Sequence, residues 1–269
     1  MSRMHLLNDS RTRFDVPFLY RRVGVWAVRL GAAVVVFGSW ELYGQSVNRA
    51  LFSPPSRVVT AFFEVAIETT VLWSAIGDSL ISMSIGFGLA ILVGTAAGIL
   101  MGRIRLLEYV VDPYVSFLYA LPTVAILPLI VIWVGIGQPA RVLIVFIISV
   151  VPVLLNTMAG AKQVSRDLVD VGRNYGGSDG QILRTIVLPA ILPFFFAGLR
   201  LGIGSALIGM ILGEMLLVIR GLGGFVVEYS NRFRPDKVFV GLLAIVGLSL
   251  TLRFLVQATR RRLMPWSEV

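Results

Sequence analysis

Six stretches of the chain stay apolar long enough to cross a hydrocarbon core of about 30 Å, at a rise of about 1.5 Å per helical residue. They lie near residues 23–42, 78–100, 114–134, 141–159, 196–217 and 238–258. The pattern predicts an all-α polytopic membrane protein with about six transmembrane helices. Between the first two spans, Ser53-Pro54-Pro55-Ser56 ends whatever precedes it, because proline removes a backbone donor and restricts its neighbour. Val58 to Leu72 then has helix-like apolar spacing and reads as a surface helix outside the bilayer. The longest polar interruption, from about Gly160 to Pro193, has an order of its own. Leu168, Val169 and Val171 form an apolar set ahead of Tyr175, Gly176-Gly177-Ser178-Asp179-Gly180 breaks it, and a second periodic stretch from Ile182 to Leu188 precedes Pro189. This reads as helix, sharp turn, helix, with the turn supplied by glycine and Ser178 or Asp179 placed to cap the second helix.

Composition agrees with the pattern. The chain is 57% hydrophobic and only 14% charged, against about 25% charged residues in a soluble domain. A net charge of +9 raises nucleic-acid binding, but the basic residues are scattered between apolar spans and form no single stripe. Topology accounts for them, because basic residues near span ends stay on the cytoplasmic side. With the N-terminus inside, that side holds Arg3, Arg11, Arg13, Arg21, Arg22, Arg103, Arg105, Lys162, Arg166, Arg173, Arg184 and Arg260 to Arg262. The opposite side holds Arg49, Arg57, Arg141, Arg220, Arg232, Arg234 and Lys237, so both termini are expected in the cytoplasm. The apolar stretch from Val23 to Leu42 is longer than a secretory h-region and reads as a retained first span, with a cleaved signal as the competing reading. Cysteine is absent and His5 is the only imidazole, which removes thiolate chemistry and cysteine-ligated metals.

Within the spans, Gly86, Gly88, Gly94 and Gly98 in the second and Gly198, Gly202, Gly204 and Gly209 in the fifth suit close helix packing in lipid; a helix that slides or bends in transport is the alternative. Pro122, Pro128 and Pro152 are expected to bend their helices. Asn156, Arg200 and Glu214 are the polar side chains considered for a path, since ionisable groups in hydrocarbon are costly and face protein or water. Arg200 reads first as snorkelling near the cytoplasmic end of its span. Glu214, near the far end, has three readings: an interfacial position, a hydrogen bond across a dimer, or the lining of a path.

At Asp170-Val171-Gly172, then Gly176, then Ile186-Val187-Leu188-Pro189, the chain resembles the EAA motif of bacterial binding-protein-dependent ABC importers. The glycine and the I-x-L-P end stand at the motif's spacing; Asp170 stands for its Glu, and Val171 and Gly172 for its alanines. Over roughly Leu51 to Pro265 the chain is similar to the nitrate/sulfonate/taurine-type permeases. The matching pieces are Leu51-Phe52-Ser53-Pro54-Pro55, Asp112-Pro113, Leu127-Pro128-Leu129 running into Trp133-Val134-Gly135-Ile136-Gly137, Asn156-Thr157, Gly198-Leu199-Arg200, Gly213-Glu214-Met215 and Arg220-Gly221-Leu222-Gly223.

The resemblance implies the type I importer permease (MetI-like) fold in the bacterial inner membrane. It also implies a second permease copy in a homodimer, two cytoplasmic ATPase subunits, and a periplasmic or lipoprotein solute-binding protein. On this reading residues 1–22 are a cytoplasmic segment and 23–77 the first span with its extracytoplasmic segment. Residues 78–258 are the permease core with a coupling loop at 160–195, and 259–269 a cytoplasmic tail. The family places the turn around Gly176 in a groove on the ATPase, which makes Asp170, Arg173, Gly176, Gly177, Ser178, Asp179, Gln181, Arg184 and Pro189 the expected coupling residues. The chain has no G-x-x-x-x-G-K-[ST] loop, and neither Lys162 nor Lys237 follows one, so ATP and Mg are expected on the partner chain and no cofactor on this one. The expected cargo is a small, often anionic solute such as nitrate or an organosulfonate. An ion-coupled secondary transporter is the rival reading, resting on Glu214 alone. An intramembrane enzyme finds no paired intramembrane acids to support it.

Overall fold

A computed structural model describes residues 22–217 and 220–264. The N-terminal segment with His5, Arg3, Arg11, Arg13 and Arg21, and the last five residues of the tail, lie outside the described residues. All regular structure among the described residues is helical: α1 Arg22–Ser46, α2 Pro55–Phe63, α3 Val71–Arg103, α4 Arg105–Ala120, α5 Thr123–Val134, α6 Gln138–Gln163, α7 Arg166–Asn174, α8 Asp179–Ile182, α9 Leu188–Leu217, α10 Leu222–Asn231 and α11 Pro235–Leu263. Five uninterrupted helices are long and apolar enough to span a membrane, and α4 with α5 makes a sixth if counted as one broken span.

Three expectations change. The span near 114–134 is not one helix, because α4 and α5 meet at 107°. Pro122 offers no N–H and holds Leu121 extended (φ −66°, ψ 129°), so α4 ends at Ala120. Pro128 and Pro152, by contrast, sit inside α5 and α6 without ending them. Next, the helix after the glycine turn does not stop at Pro189. It runs from Asp179 to Leu217 as one 39-residue path. A π turn at Leu183–Val187, in which the Leu188 N–H donates to the Leu183 carbonyl, widens the helix just where Pro189 cannot donate. Finally, the stretch read as an outer loop contains α10, which buries Leu222, Phe225, Val226 and Tyr229 at helical spacing.

α6 is the centre of the bundle, with α3 on one side and α9 on the other. Gly86, Gly94, Gly98 and Gly102 recur along one face of α3, and a Cβ at Gly98 would lie 2.7 Å from the Leu154 carbonyl of α6. Gly198 and Gly209 bring α9 against α6 less tightly, an added Cβ lying 3.4 and 3.3 Å from its backbone, whereas Gly88 and Gly204 face open space. Apolar transfer gives helices in lipid little reason to associate, so this backbone approach supplies the packing. At one end of the bundle α2, α3, α10 and α11 share a core of Val58, Val65, Leu72, Leu222, Phe225 and Val240. α1 joins that end through Trp40, whose ring lies 5.3 Å from that of Phe239, and through Glu41, which accepts from the Ser56 N–H at 3.0 Å. The rest of its apolar surface faces outward.

Candidate functional site

The opposite end carries the helical hairpin formed by α7 and the start of the Asp179–Leu217 helix. α7 ends in a Schellman arrangement: the Gly177 N–H donates to the Gly172 carbonyl at 3.0 Å and the Gly176 N–H to the Arg173 carbonyl at 2.8 Å. Gly176 takes φ +77°, a left-handed conformation that costs any side-chain-bearing residue energy. Ser178 then caps the next helix in a capping box. Its N–H donates to Gln181 Oε1 at 2.8 Å, and the Gln181 N–H donates to Ser178 Oγ at 3.4 Å. Gln181 and Ser178 therefore hold the turn's shape. Gly172, where the motif has alanine, lets α7 lie close to the second arm: an added Cβ would sit 3.0 Å from Ile186 Cδ1 and 3.3 Å from Ile182 Cγ1.

Beneath the turn, Val169, Ile182, Val187 and Ile191 pack with Ala161 and Val164 from the end of α6 and with Ile99 of α3. The hairpin is thus fixed to the bundle by a core of its own. What it shows to the outside divides by face. Leu168, Val171 and Tyr175 line up at helical spacing, and Tyr175 is 89% exposed. Arg166, Asp170 and Arg173 look into a cleft of about 690 Å³ whose other wall is Ile99, Leu100, Arg103 and Ile104 at the end of α3, with Asp179 at its rim. Arg173 and Asp179 stand 3.5 Å apart, both exposed, which is worth little in water. Arg184 projects outward from the π turn, and Pro189 follows that turn inside the helix. Sequence reasoning named the charges around the turn as contacts and left out Leu168, Val171 and Tyr175; three apolar residues exposed on one face of a polar helix were the signal.

The three polar residues considered for a path are not brought together. Glu214 is fully enclosed near the other end of α9. Its carboxylate accepts from Ser79 Oγ at 2.8 and 2.9 Å and from the Gly223 N–H at 2.9 Å. Arg141 Nη1 lies 3.7 Å away and donates to the Arg220 carbonyl at 2.9 Å. Ser79 Oγ also accepts from the Leu222 N–H at 2.8 Å. Gly221, at φ +125°, leaves room for the carboxylate, which a Cβ there would meet at 2.3 Å. Glu214 therefore staples α9 to α3, α6 and the entry to α10. Its side chain is enclosed within the protomer, away from the surface of this chain. Asn156 donates to the Pro152 carbonyl at 2.8 Å, one turn back in its own helix. Arg200 is exposed on α9, beside Arg253 and Gln257 of α11.

Comparison with known proteins bears on both ends of the bundle. The family described as "Binding-protein-dependent transport system inner membrane component" matches residues 90–265, which include the hairpin, α9 and α10. The taurine transport system permease protein of Escherichia coli (strain K12) is 29% identical over 97% of this chain and 95% of its own length. The nitrate import permease protein of Synechocystis sp. (strain ATCC 27184 / PCC 6803 / Kazusa) is 32% identical over 91% of each. A solved structure described as "Crystal structure of an amino acid ABC transporter with histidines" superposes with a TM-score of 0.57 at 19% identity, covering 75% of this chain and 98% of that one, and carries the fold alone.

Proposed function

The chain belongs to the family of binding-protein-dependent transport system inner membrane components, multi-pass permeases of bacterial ABC importers, and from that premise we propose that it forms the membrane path for a small anionic solute of the sulfonate or nitrate class. Two copies form the path, two ATPase subunits bind the hairpins, and a solute-binding protein delivers cargo at the α2, α10 and α11 end. Both termini are cytoplasmic, and ATP and Mg are held by the partner ATPase. The observation that carries the mechanism is the continuity of the hairpin's second arm with α9 from Asp179 to Leu217. Tyr175, Leu168 and Val171 enter the ATPase groove, and Asp170, Arg173, Asp179 and Arg184 contribute polar contacts at its edge. Closure of the ATPase pair on ATP then displaces the hairpin, and α9 carries that displacement through the bilayer. The solute class is supported by relatives named for the transport of taurine, nitrate, aliphatic sulfonates and bicarbonate.

The test is co-purification of the ATPase with the permease, compared with Gly176→Arg, together with uptake of labelled taurine and nitrate. Gly176→Arg is expected to insert normally while losing the ATPase and uptake. Uptake driven by an imposed ion gradient with no ATPase present would overturn the reading.

A further inference from the structure

Among the described residues, Arg29 of α1, Arg200 of α9 and Arg253 of α11 lie in membrane helices with no acidic partner, and Arg29 lies over an aromatic ring instead, that of Trp26 at 5.3 Å. Arg200 of α9 and Arg253 of α11 line one small cavity of about 130 Å³ together with Gln257, over a floor of Ile203 and Val256. Arg200 and Ile203 are three residues apart, and Arg253, Val256 and Gln257 stand at i, i+3 and i+4, so each helix presents one face to the cavity. Both arginines lie at one level: about 26 Å from the Leu217 end of α9 and about 27 Å from the Pro235 end of α11, at about 1.5 Å per residue. No carboxylate among the described residues lies within ion-pair distance of either guanidinium. The two buried cations elsewhere in the bundle do have acids: Arg141 faces Glu214, and Lys237 contacts Glu64. Both side chains are exposed toward the cytoplasmic end of their spans, where they can snorkel; two like charges lining one cavity still repel each other, and an anion between them relieves that cost. A guanidinium presents a planar fork of donors suited to an oxyanion, and a glutamine amide adds a neutral donor.

We infer that Arg200, Arg253 and Gln257 form an oxyanion-binding site between α9 and α11. The chemistry fits a sulfonate, a nitrate or the phosphate of an anionic lipid; only the choice of a transported solute as its source rests on the permease reading. Because Arg200 rides on the helix that begins in the hairpin while Arg253 belongs to a separate helix, movement of the hairpin opens or closes the pair around the anion.

The test uses the purified permease–ATPase complex in chloride-free gluconate buffer. The thermal midpoint is followed during titration with methanesulfonate and, separately, with phosphatidylglycerol. The midpoint of the wild type is expected to rise. Arg200→Gln and Arg253→Gln are each expected to weaken the apparent affinity about tenfold or more. Arg200→Lys, which keeps the charge, is expected to retain a reduced rise, and Arg220→Gln, between α9 and α10 at the other end of the bundle, the full one. A purely structural role would lower the starting midpoint of the variants without altering its dependence on the anion. A response to methanesulfonate without lipid names the solute as the source, and a response to phosphatidylglycerol alone names the lipid. No response to either reagent, or one that survives in both glutamine variants, overturns the site. ATPase recovery in the same preparation reports on the permease reading independently.

Discussion

Replacing Glu214 separates a structural staple from a residue that serves the path. The carboxylate satisfies the Ser79 hydroxyl and the Gly223 N–H, and it faces an Arg141 that is only 7% exposed and whose Nε has no partner. Glu214→Ala leaves that guanidinium enclosed beside an empty space, a change that costs about 3–5 kcal/mol for a buried pair. At about 2–4 °C per kcal/mol for a chain of this size, the midpoint is expected to fall by roughly 6–20 °C. Glu214→Gln keeps the volume and one acceptor and loses the charge-assisted part, so its cost is about 1.5–3 kcal/mol. Glu214→Leu with Arg141→Met removes both charges together and is expected to recover only part of the loss, because the buried charge is gone while the Gly223 N–H is left without its acceptor. Thermal unfolding of the detergent-purified protein reads all three, and uptake in cells at matched expression reads function. If Glu214→Gln abolished uptake with no loss of stability, or the double variant were no better than Glu214→Ala, the staple reasoning would be refuted.

Ser178→Ala removes the capping box and is expected to cost about 1 kcal/mol, which appears as roughly fivefold faster hydrogen exchange at the amides of residues 179–182 with the rest of α9 unchanged. Gly98→Val drives a side chain against the Leu154 carbonyl and Thr157 Cβ, at 2.7 and 2.8 Å already for its Cβ. The backbone of α6 cannot yield there, so a loss of about 1–3 kcal/mol is expected in thermal unfolding. At Gly88 on the same helix an added Cβ meets nothing within 4 Å, so Gly88→Ala serves as the neutral control.

The spans, the hairpin and the glycine packing were legible because each rests on a local pattern: apolar run length, a glycine cluster between periodic stretches, and small residues at helical spacing. α10 was missed although Leu222, Phe225, Val226 and Tyr229 have the spacing of a buried face. At ten residues it is too short for hydropathy to register, and the basic residues on either side of it favoured a loop. The continuity of α9 through Pro189 was missed for a different reason. Proline reads as a stop, and only the π turn before it lets the helix pass. Glu214 could not be placed from sequence, because Ser79 and Arg141 lie far away in the chain and nothing local connects them.

On the proposed coupling, gripping the ATPase and passing its motion to the spans rest on different residues, so the two should come apart. On that proposal, association needs the outward face of the hairpin, whereas transmission needs the packed core beneath it. Tyr175 is almost wholly exposed and contributes to no core cluster, so Tyr175→Ala should leave the permease as stable as the wild type while losing the ATPase on purification. Ile191 is 2% exposed and sits where the hairpin core meets the span, against Val187 and the end of α6. Ile191→Ala opens a cavity there at a cost of about 2–5 kcal/mol. The turn itself keeps its Schellman bonds and its capping box, so the ATPase should still bind in the wild-type ratio. The loosened joint then lets the hairpin move without α9, and solute carried per ATP hydrolysed falls in proteoliposomes even where hydrolysis continues. If ATPase recovery and coupling fell together in both variants, grip and transmission would be one property of the hairpin. If coupling in Ile191→Ala matched the wild type, the force would reach the spans by a route other than α9.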